Sequence, residues 1–205
     1  MSVTPQSARD DLAYLRALIG SPDDLQKSFG LTYLAGGLCY GVQMILSGLQ
    51  HLGYLSNNSG WSMAVGFGPT VVFLAILTLL IRRGPKATPS GVNRAISAVF
   101  GCVGLTNMVL ILVIGAVAIR LHSFTVWMIY PCSVFVLQGA AWLIAYGLRR
   151  RPWLALVALG WFVSAFLMAW FIQNLGLFIL IAGLGLLTCM VIPGAVTLRL
   201  ARKSV

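Results

Sequence analysis

Acidic residues are nearly absent from this sequence, and the few present lie close together. The chain has 205 residues and contains no Glu; its four Asp residues are Asp10, Asp11, Asp23 and Asp24. Charged residues of both signs make up 9% of the chain, against about 25% in a typical soluble domain. A carboxylate at the centre of a bilayer costs about 2.5–3.5 kcal/mol on insertion scales. The lack of acids after Asp24 therefore favours a membrane protein over a soluble one.

Groups that perform chemistry are scarce as well. The only histidines are His51 and His122, and the four cysteines form no C-x-x-C pair. Enzymes need side chains that move protons or attack a substrate, and proton-driven transporters usually need an ionisable residue inside the membrane. The long apolar segments contain no charged side chain of either sign. We therefore expect no enzymatic activity, no cofactor and no bound metal.

Hydrophobic residues make up 59% of the chain, and the sequence contains long runs without any charge. A bilayer core of about 30 Å requires about 20 apolar residues in a helix. The pattern predicts an all-α, polytopic membrane helix bundle over residues 29–205, with six transmembrane helices arranged as three hairpins. A strand barrel is disfavoured because its segments would alternate apolar and polar residues. The predicted spans are 29–50, 61–81, 95–119, 123–148, 152–172 and 175–198.

The basic residues predict an orientation. Thirteen of the 14 Lys and Arg residues fall before span 1, between spans 2 and 3, between spans 4 and 5, or after span 6. Cytoplasmic loops carry such an excess, so we expect both termini in the cytoplasm (N-in/C-in) and a bacterial inner, or plasma, membrane. Arg120 is the one exception. The rule accounts for the positive charge without a nucleic-acid partner, and the expected contacts with anionic lipid are Arg82, Arg83, Arg149, Arg150 and Arg151.

Residues 1–28 form the predicted cytoplasmic N-terminal segment. The patterns Ser7–Asp10 and Ser21–Asp24 each place a capping hydroxyl before a carboxylate, which is typical of a helix start. A short amphipathic helix is expected at 8–19, with Leu12, Leu15, Leu18 and Ile19 on one face. Such a helix is too short to span. It is expected to lie on the membrane surface, to bind a partner protein or to pack on the bundle itself.

Polar residues inside the spans suggest an internal repeat. Gln43 and Pro69 in spans 1–2 occupy positions similar to those of Asn107 and Pro131 in spans 3–4, as in parallel transporter repeats. Polar groups in hydrocarbon need partners. Two interpretations remain open: hydrogen bonds between helices, or a cavity that opens outward. The candidate cavity residues are Gln43, Thr70, Asn107 and Cys132, and the candidate mouth residues are His51, Arg120 and His122.

Glycine-rich stretches predict close packing of helices. Gly37 and Gly41 form a small-xxx-small pattern, which lets two backbones approach in a membrane. Further surface without side chains, suited to close helix packing, is expected at Gly36, Gly48, Gly101, Gly104, Gly183 and Gly185.

Two functional classes fit these observations. The first is an accessory, sensing or scaffold protein that binds membrane proteins, lipids or a second copy of itself through its bundle and N-terminal helix. The second is a small channel or transporter for a neutral or anionic solute or lipid. The slight preference for the first class follows from the absence of charged groups in the spans.

Overall fold

The computed structural model describes residues 22–56, 58–83 and 91–203, and these residues are helical except for short connections. The first helix begins at Pro22, a residue that suits the first helical position because it has no N–H to leave unpaired. The helices are α1 (Pro22–His51), α2 (Ser59–Arg83), α3 (Gly91–Arg120), α4 (Phe124–Arg149), α5 (Pro152–Trp170), α6 (Leu175–Leu186) and α7 (Ile192–Lys203).

Six helical stretches in the described residues are long and apolar enough to cross a membrane. They confirm the predicted number of spans and are those expected of an integral, multi-pass membrane protein. The helices extend beyond the predicted spans at several ends, because backbone hydrogen bonding continues past the apolar residues into the interface. The amphipathic helix expected at 8–19 lies outside the described residues. The three-hairpin arrangement and the orientation stay predictions.

α1 has neighbours on two sides of the bundle. It packs against α2 on one side, and against α6 and α7 on the other. α5 packs against α4 and α6, and α3 packs mainly on α4. α2 and α3 are accordingly the least buried spans: 6% and 11% of their most apolar stretch is buried, against 28–33% for the other four.

Glycines set the close approach of α1 to the last span, Leu175–Leu200. A Cβ placed on Gly41 would lie 2.7 Å from a side-chain carbon of Leu187, and one on Gly48 would lie 2.7 Å from Leu180. The prediction of close packing is confirmed at Gly37 and Gly41, and at four further glycines, Gly36, Gly48, Gly183 and Gly185. It is wrong for Gly101 and Gly104, which have nothing within 4 Å because α3 lies at the edge of the bundle.

The last span is interrupted by one wide turn. Residues Leu187–Val191 form a π-helical turn between α6 and α7. Pro193 follows, and because it has no N–H it cannot donate to the carbonyl of Cys189, so the regular helical ladder cannot continue there. The turn lies where α1 contacts this span.

A buried core lies among α4, α5 and α6. Trp161 and Met168 of α5 are 1% and 0% exposed, and the ring of Phe135 meets that of Trp161 edge-on at 4.8 Å between centroids. Phe178 and Ala182 of α6 complete this core. The bundle therefore has a packed interior at its centre.

Candidate functional site

Five helix ends meet around a pocket at the end of the bundle that carries most of the described arginines. The pocket is bounded by the beginnings of α1, α3 and α5 and by the last turns of α4 and α7. We call this end the basic end and its cavity the basic-end pocket. The lining residues are Phe29, Asn93, Ile96, Ser97, Phe100, Trp142, Ala145, Arg149, Trp153, Leu154 and Thr197.

Aromatic rings form most of the pocket wall. Phe100 meets Phe29 at 5.2 Å and Trp142 at 5.6 Å between ring centroids, both in edge-to-face contacts. Trp153 lies 6.0 Å from Trp142 on the far side. Edge-to-face pairs are favourable because the positive edge of one ring faces the negative face of the other. The contacts hold α1, α3, α4 and the start of α5 in one arrangement around the opening.

A buried hydrogen-bond chain fixes the deep side of this wall. Trp142 Nε1 donates to Tyr33 Oη at 2.9 Å, and Tyr33 Oη donates to Gln138 Oε1 at 2.9 Å. Gln138 and Trp142 are four residues apart on α4, so they lie one above the other on the same face. The phenol of Tyr33, which belongs to α1, therefore joins α1 to two successive turns of α4.

Local sequence places the three consecutive arginines at the turn from α4 to α5. Arg149 is in the last turn of α4, where a cation interacts favourably with the helix dipole. Arg150 adopts φ 54° in the left-handed region, and its N–H donates to the carbonyl of Tyr146 at 2.7 Å, which ends the helix. Arg151 is extended, as expected before a proline, and Pro152 begins α5. Arg149 alone of the three lines the pocket.

The guanidinium of Arg149 is partly buried and is bonded to a neutral group. Its Nη2 donates to Asn93 Oδ1 of α3 at 2.6 Å, the one hydrogen bond it makes to the described residues. No Asp or Glu follows Asp24 in the sequence, so an acidic side chain from α2 to α7 cannot pair with it. A guanidinium has five N–H donors, so it retains capacity to bind an anion.

The basic-end pocket is small and partly open. Its volume is about 60 Å³. Hydroxyls of Ser97 and Thr197 join Asn93 and Arg149 as its polar lining, and the rest of the lining is apolar. The pocket therefore has room for a small polar group or the end of a chain.

The other basic residues predicted to contact anionic lipid lie around this end. Arg82 and Arg83 end α2, and the side chain of Arg82 is exposed. Arg150 and Arg151 are also exposed. The structure thus distinguishes Arg149 from its neighbours, and lipid contact by this group stays a prediction.

The predicted cavity residues belong to four helices, and none lines the basic-end pocket. Gln43 of α1 donates through Nε2 to the carbonyl of Gly66 in α2 at 2.8 Å, while its Oε1 is buried without a partner among the described residues. The Oδ1 of Asn107 on α3 is also buried and unpaired within the described part. Cys132 of α4 packs against the central core, and Thr70 is partly buried on α2. A cavity shared by these four residues stays a prediction.

The predicted mouth residues lie at the end of the bundle opposite the basic end. His51 is in the last turn of α1, with its Nδ1 2.9 Å from the carbonyl oxygen of Ser47. Arg120 ends α3, and His122 adopts φ 48° in the loop that follows. All three side chains are exposed. Within the described residues, no group of three or more His, Cys, Asp or Glu side chains could hold a metal ion.

Several residues of the basic-end pocket were not predicted from the sequence. The sequence shows Phe29 and Trp153 only as aromatic residues near the ends of spans. Aromatic residues are common at that depth in membrane proteins, so their position did not indicate a pocket. Asn93 precedes the predicted span 95–119 and gave no signal of its own. Their grouping depends on which helix ends meet, and a run of apolar residues carries no information on that.

Comparison with known proteins finds no relative: no protein-family model, no curated protein and no solved structure matches the chain.

Proposed function

We propose that this protein is an accessory membrane protein that binds the anionic end of a single-chain amphiphile in the basic-end pocket. The bound molecule would be a lipid or lipid-like compound with a phosphate or carboxylate group. On this proposal the protein senses or holds that amphiphile, and it performs no chemical reaction on it. Its cytoplasmic placement at the inner membrane surface follows from the positive-inside prediction.

The observation that supports this proposal best is the environment of Arg149. Its guanidinium lies in an aromatic-walled pocket and donates a hydrogen bond to the neutral Asn93. Helices α2 to α7 contain no acidic residue that could pair with it. A cation removed partly from water gains most from an anion that accepts several of its N–H groups. An oxyanion fits that requirement, and planar bidentate contact favours phosphate or carboxylate.

The walls favour an anion that carries an apolar chain. Phe29, Phe100 and Trp153 surround the opening with apolar surface, and burying apolar area contributes about 25 cal/mol per Å². Because the pocket is small, with a volume of about 60 Å³, only the headgroup or the first part of the chain would enter. The remainder would extend along the bundle into the adjacent lipid.

The edge helices support the accessory part of the proposal. α2 and α3 expose nearly all of their apolar surface, including Phe67 and Leu112 at 68% and 73% exposure. Surfaces of this kind contact lipid tails or the helices of another membrane protein. A membrane-protein partner or a homo-oligomer would use these edges, while the basic end binds the amphiphile. The second class predicted from the sequence, a channel or transporter, stays a prediction.

Binding of dodecyl phosphate to the full chain tests the proposal. The protein is placed in nanodiscs of zwitterionic lipid, and dissociation constants are measured for dodecyl phosphate, for inorganic phosphate and for neutral dodecyl maltoside. We expect dodecyl phosphate to bind more tightly than either of the others, because only it supplies both the anion and the chain. If inorganic phosphate bound as tightly as dodecyl phosphate, the apolar walls would contribute nothing to binding and the proposal would fail.

Two variants remove the anion site. Arg149→Gln removes the charge, and Asn93→Asp places an internal carboxylate where Oδ1 already accepts from Arg149 at 2.6 Å. Each should weaken dodecyl phosphate binding by about tenfold or more, the equivalent of losing one charge-assisted hydrogen bond. Arg82→Gln, an exposed arginine at the same end, is the control and should change binding less than twofold. If Arg82→Gln weakened dodecyl phosphate binding as much as Arg149→Gln, the affinity would depend on general surface charge, and the proposal would be wrong.

A further inference from the structure

We propose that the basic-end pocket selects a phosphate monoester over a carboxylate, and that Thr197 of α7 is the residue that makes this distinction. This inference rests on the proposed function, because it names the headgroup that the same site would bind. The ligand class is a single-chain amphiphile that ends in a phosphate with three charged oxygens. A fatty acid, or a phosphate esterified on both sides, has only two such oxygens.

The hydroxyl of Thr197 is the first observation. Thr197 is 6% exposed, and it lines the pocket. A threonine hydroxyl in a helix commonly bonds to the carbonyl four residues earlier. Thr32 donates in this way to Ser28 at 2.9 Å, and Thr188 donates to Leu184 at 2.8 Å. Thr197 makes no such bond, nor any other hydrogen bond to the described residues. Because a buried hydroxyl without a partner is costly, a ligand oxygen that accepted from it would remove that cost.

The amide of Asn93 supplies a second donor. A guanidinium has N–H donors and no acceptor, so the amide oxygen must be the atom that meets Arg149 Nη2 at 2.6 Å. The NH₂ group of that amide is then directed away from Arg149, and it makes no hydrogen bond to the described residues. Ser97 lies four residues further along α3, on the same face as Asn93, and also lines the pocket. α3 therefore contributes an amide donor and a hydroxyl donor.

The polar groups of the pocket are mostly donors, and they come from three helices. Arg149 belongs to α4, Asn93 and Ser97 belong to α3, and Thr197 belongs to α7. No carboxylate is among the lining residues. A carboxylate offers two oxygens in one plane, whereas a phosphate monoester offers three oxygens that point in three directions. Three helices that each provide a donor match the phosphate monoester.

Close backbone packing fixes the position of Thr197. Three residues before it, Gly194 approaches α1 so closely that an added Cβ would lie 3.0 Å from the carbonyl oxygen of Gly30. The neighbouring residue in α1, Phe29, lines the pocket. A donor that is already held in place loses little freedom when a ligand binds, so more of its hydrogen bond contributes to affinity. The hydroxyl of Thr197 is therefore suited to choosing between headgroups.

Three amphiphiles with the same chain length test the choice of headgroup. The full chain in zwitterionic nanodiscs is titrated at about pH 8 with dodecyl phosphate, methyl dodecyl phosphate or dodecanoate. Dodecyl phosphate then carries close to two negative charges, because the second pKa of a phosphate monoester is about 6. The other two ligands carry one charge each. We expect dodecyl phosphate to bind about tenfold more tightly than either of them. If dodecanoate bound as tightly as dodecyl phosphate, this inference would be wrong and the proposed function would stand.

Variants of Thr197 separate the hydrogen bond from the extra charge. Thr197→Val removes the hydroxyl and keeps the branched shape, and Thr197→Ser keeps the hydroxyl. Thr197→Val should weaken binding of dodecyl phosphate about fivefold or more and binding of dodecanoate less than twofold. Thr197→Ser should bind both ligands as the unmodified protein does. Thr32→Val is the control and should change neither affinity, because Thr32 does not line the pocket and already donates to Ser28.

The two proposals fail in different ways. If Thr197→Val weakens both ligands equally, or weakens neither, the hydroxyl does not select the headgroup and this inference is overturned. The same conclusion follows if Thr32→Val weakens dodecyl phosphate binding as much as Thr197→Val does. Arg149→Gln reports on the proposed function, because it should weaken binding of dodecyl phosphate and of dodecanoate. If it weakens neither, the proposed function fails, and this inference fails with it.

Discussion

Two buried tryptophans of the bundle differ in their hydrogen bonds. Trp142 and Trp161 are 3% and 1% exposed, so both indoles are removed from water and lipid. Trp142 Nε1 donates to Tyr33 Oη at 2.9 Å, whereas Trp161 Nε1 is buried without an acceptor among the described residues. A buried N–H without an acceptor destabilises the folded state, because it has lost its hydrogen bond to water and gained none in return. A buried N–H with an acceptor does not carry this cost. The two residues therefore form a matched pair.

Replacing each tryptophan by phenylalanine should separate these cases. Both changes shrink the ring by a similar volume, but Trp142→Phe also leaves the Tyr33 hydroxyl without its donor, and Trp161→Phe removes an unpaired N–H. We expect Trp142→Phe to lower the free energy of unfolding by about 0.6–1.7 kcal/mol more than Trp161→Phe, which runs from the average to the largest value measured for hydrogen bonds between membrane helices. Denaturant unfolding in a fixed detergent measures the difference. Equal losses, or a larger loss at Trp161, would show that the Tyr33 bond contributes nothing to stability.

At the scale of helices, α1 is held by backbone contact as well as by side chains. A Cβ on Gly194 of α7 would lie 2.8 Å from the backbone nitrogen of Leu34 and 3.0 Å from the carbonyl oxygen of Gly30. Backbone atoms cannot rotate away as a flexible side chain can. α1 and α7 would therefore have to separate to admit even one methyl group.

Alanine scanning of two glycines tests this contact. Gly194→Ala should cost about 1–3 kcal/mol of unfolding free energy, as overpacking does in tight interiors. Gly104→Ala, on the exposed face of α3 with nothing within 4 Å, should be neutral or stabilising by up to about 1 kcal/mol through helix propensity. Thermal unfolding of the purified variants provides the comparison. A neutral Gly194→Ala would mean that the two helices are less closely packed than described.

The sequence predicts the helices of this protein better than their partners. Six spans follow from the lengths of the uncharged runs, because a bilayer imposes one length on every crossing helix. Which spans touch depends on small residues and on shape. Gly37 and Gly41 indicated a close contact for α1, but only the structure shows that the neighbour is the π-helical turn and not another glycine-rich helix. Gly101 and Gly104 were also expected to form a packing surface, and a Cβ on either has nothing within 4 Å.

The candidate site could be predicted only in part for the same reason. The three arginines after span 4 are visible in the sequence as a basic rim. That Arg149 turns into a pocket while Arg150 and Arg151 stay exposed depends on the left-handed turn at Arg150 and on the position of Asn93. Phe29, Phe100 and Trp142 come from three different helices. Side chains that converge through tertiary packing leave no pattern at fixed sequence spacing.

For the whole molecule, the strongest prediction is the orientation. Reporter fusions after Arg83, Arg150 and Val205 should report the cytoplasm, and insertions near Asn58 and His122 should report the opposite side, because Lys and Arg accumulate on the cytoplasmic face. Paired reporters that are active on opposite sides of the membrane give a positive signal at every position. A cytoplasmic signal at Asn58 would contradict the orientation and would place the basic end outside.

The orientation and the binding site belong to the same end of the molecule. The chain concentrates its acids in residues 10–24 and most of its described arginines at one end, where Arg149 lies in the basic-end pocket among aromatic rings. The amphiphile would meet the pocket from the cytoplasmic leaflet, where anionic lipids give a surface potential that attracts basic groups. The edge helices remain free to contact other membrane proteins.

Native mass spectrometry of protein extracted mildly from its own membrane tests the central claim most directly. The unmodified chain should retain one anionic amphiphile per protein, seen as a discrete added mass that fragmentation assigns to a lipid with a net negative phosphate or carboxylate headgroup. Arg82→Gln should retain it as well, and Arg149→Gln should lose it. The account is contradicted if Arg149→Gln carries the same added mass, or if the unmodified chain retains only zwitterionic lipid.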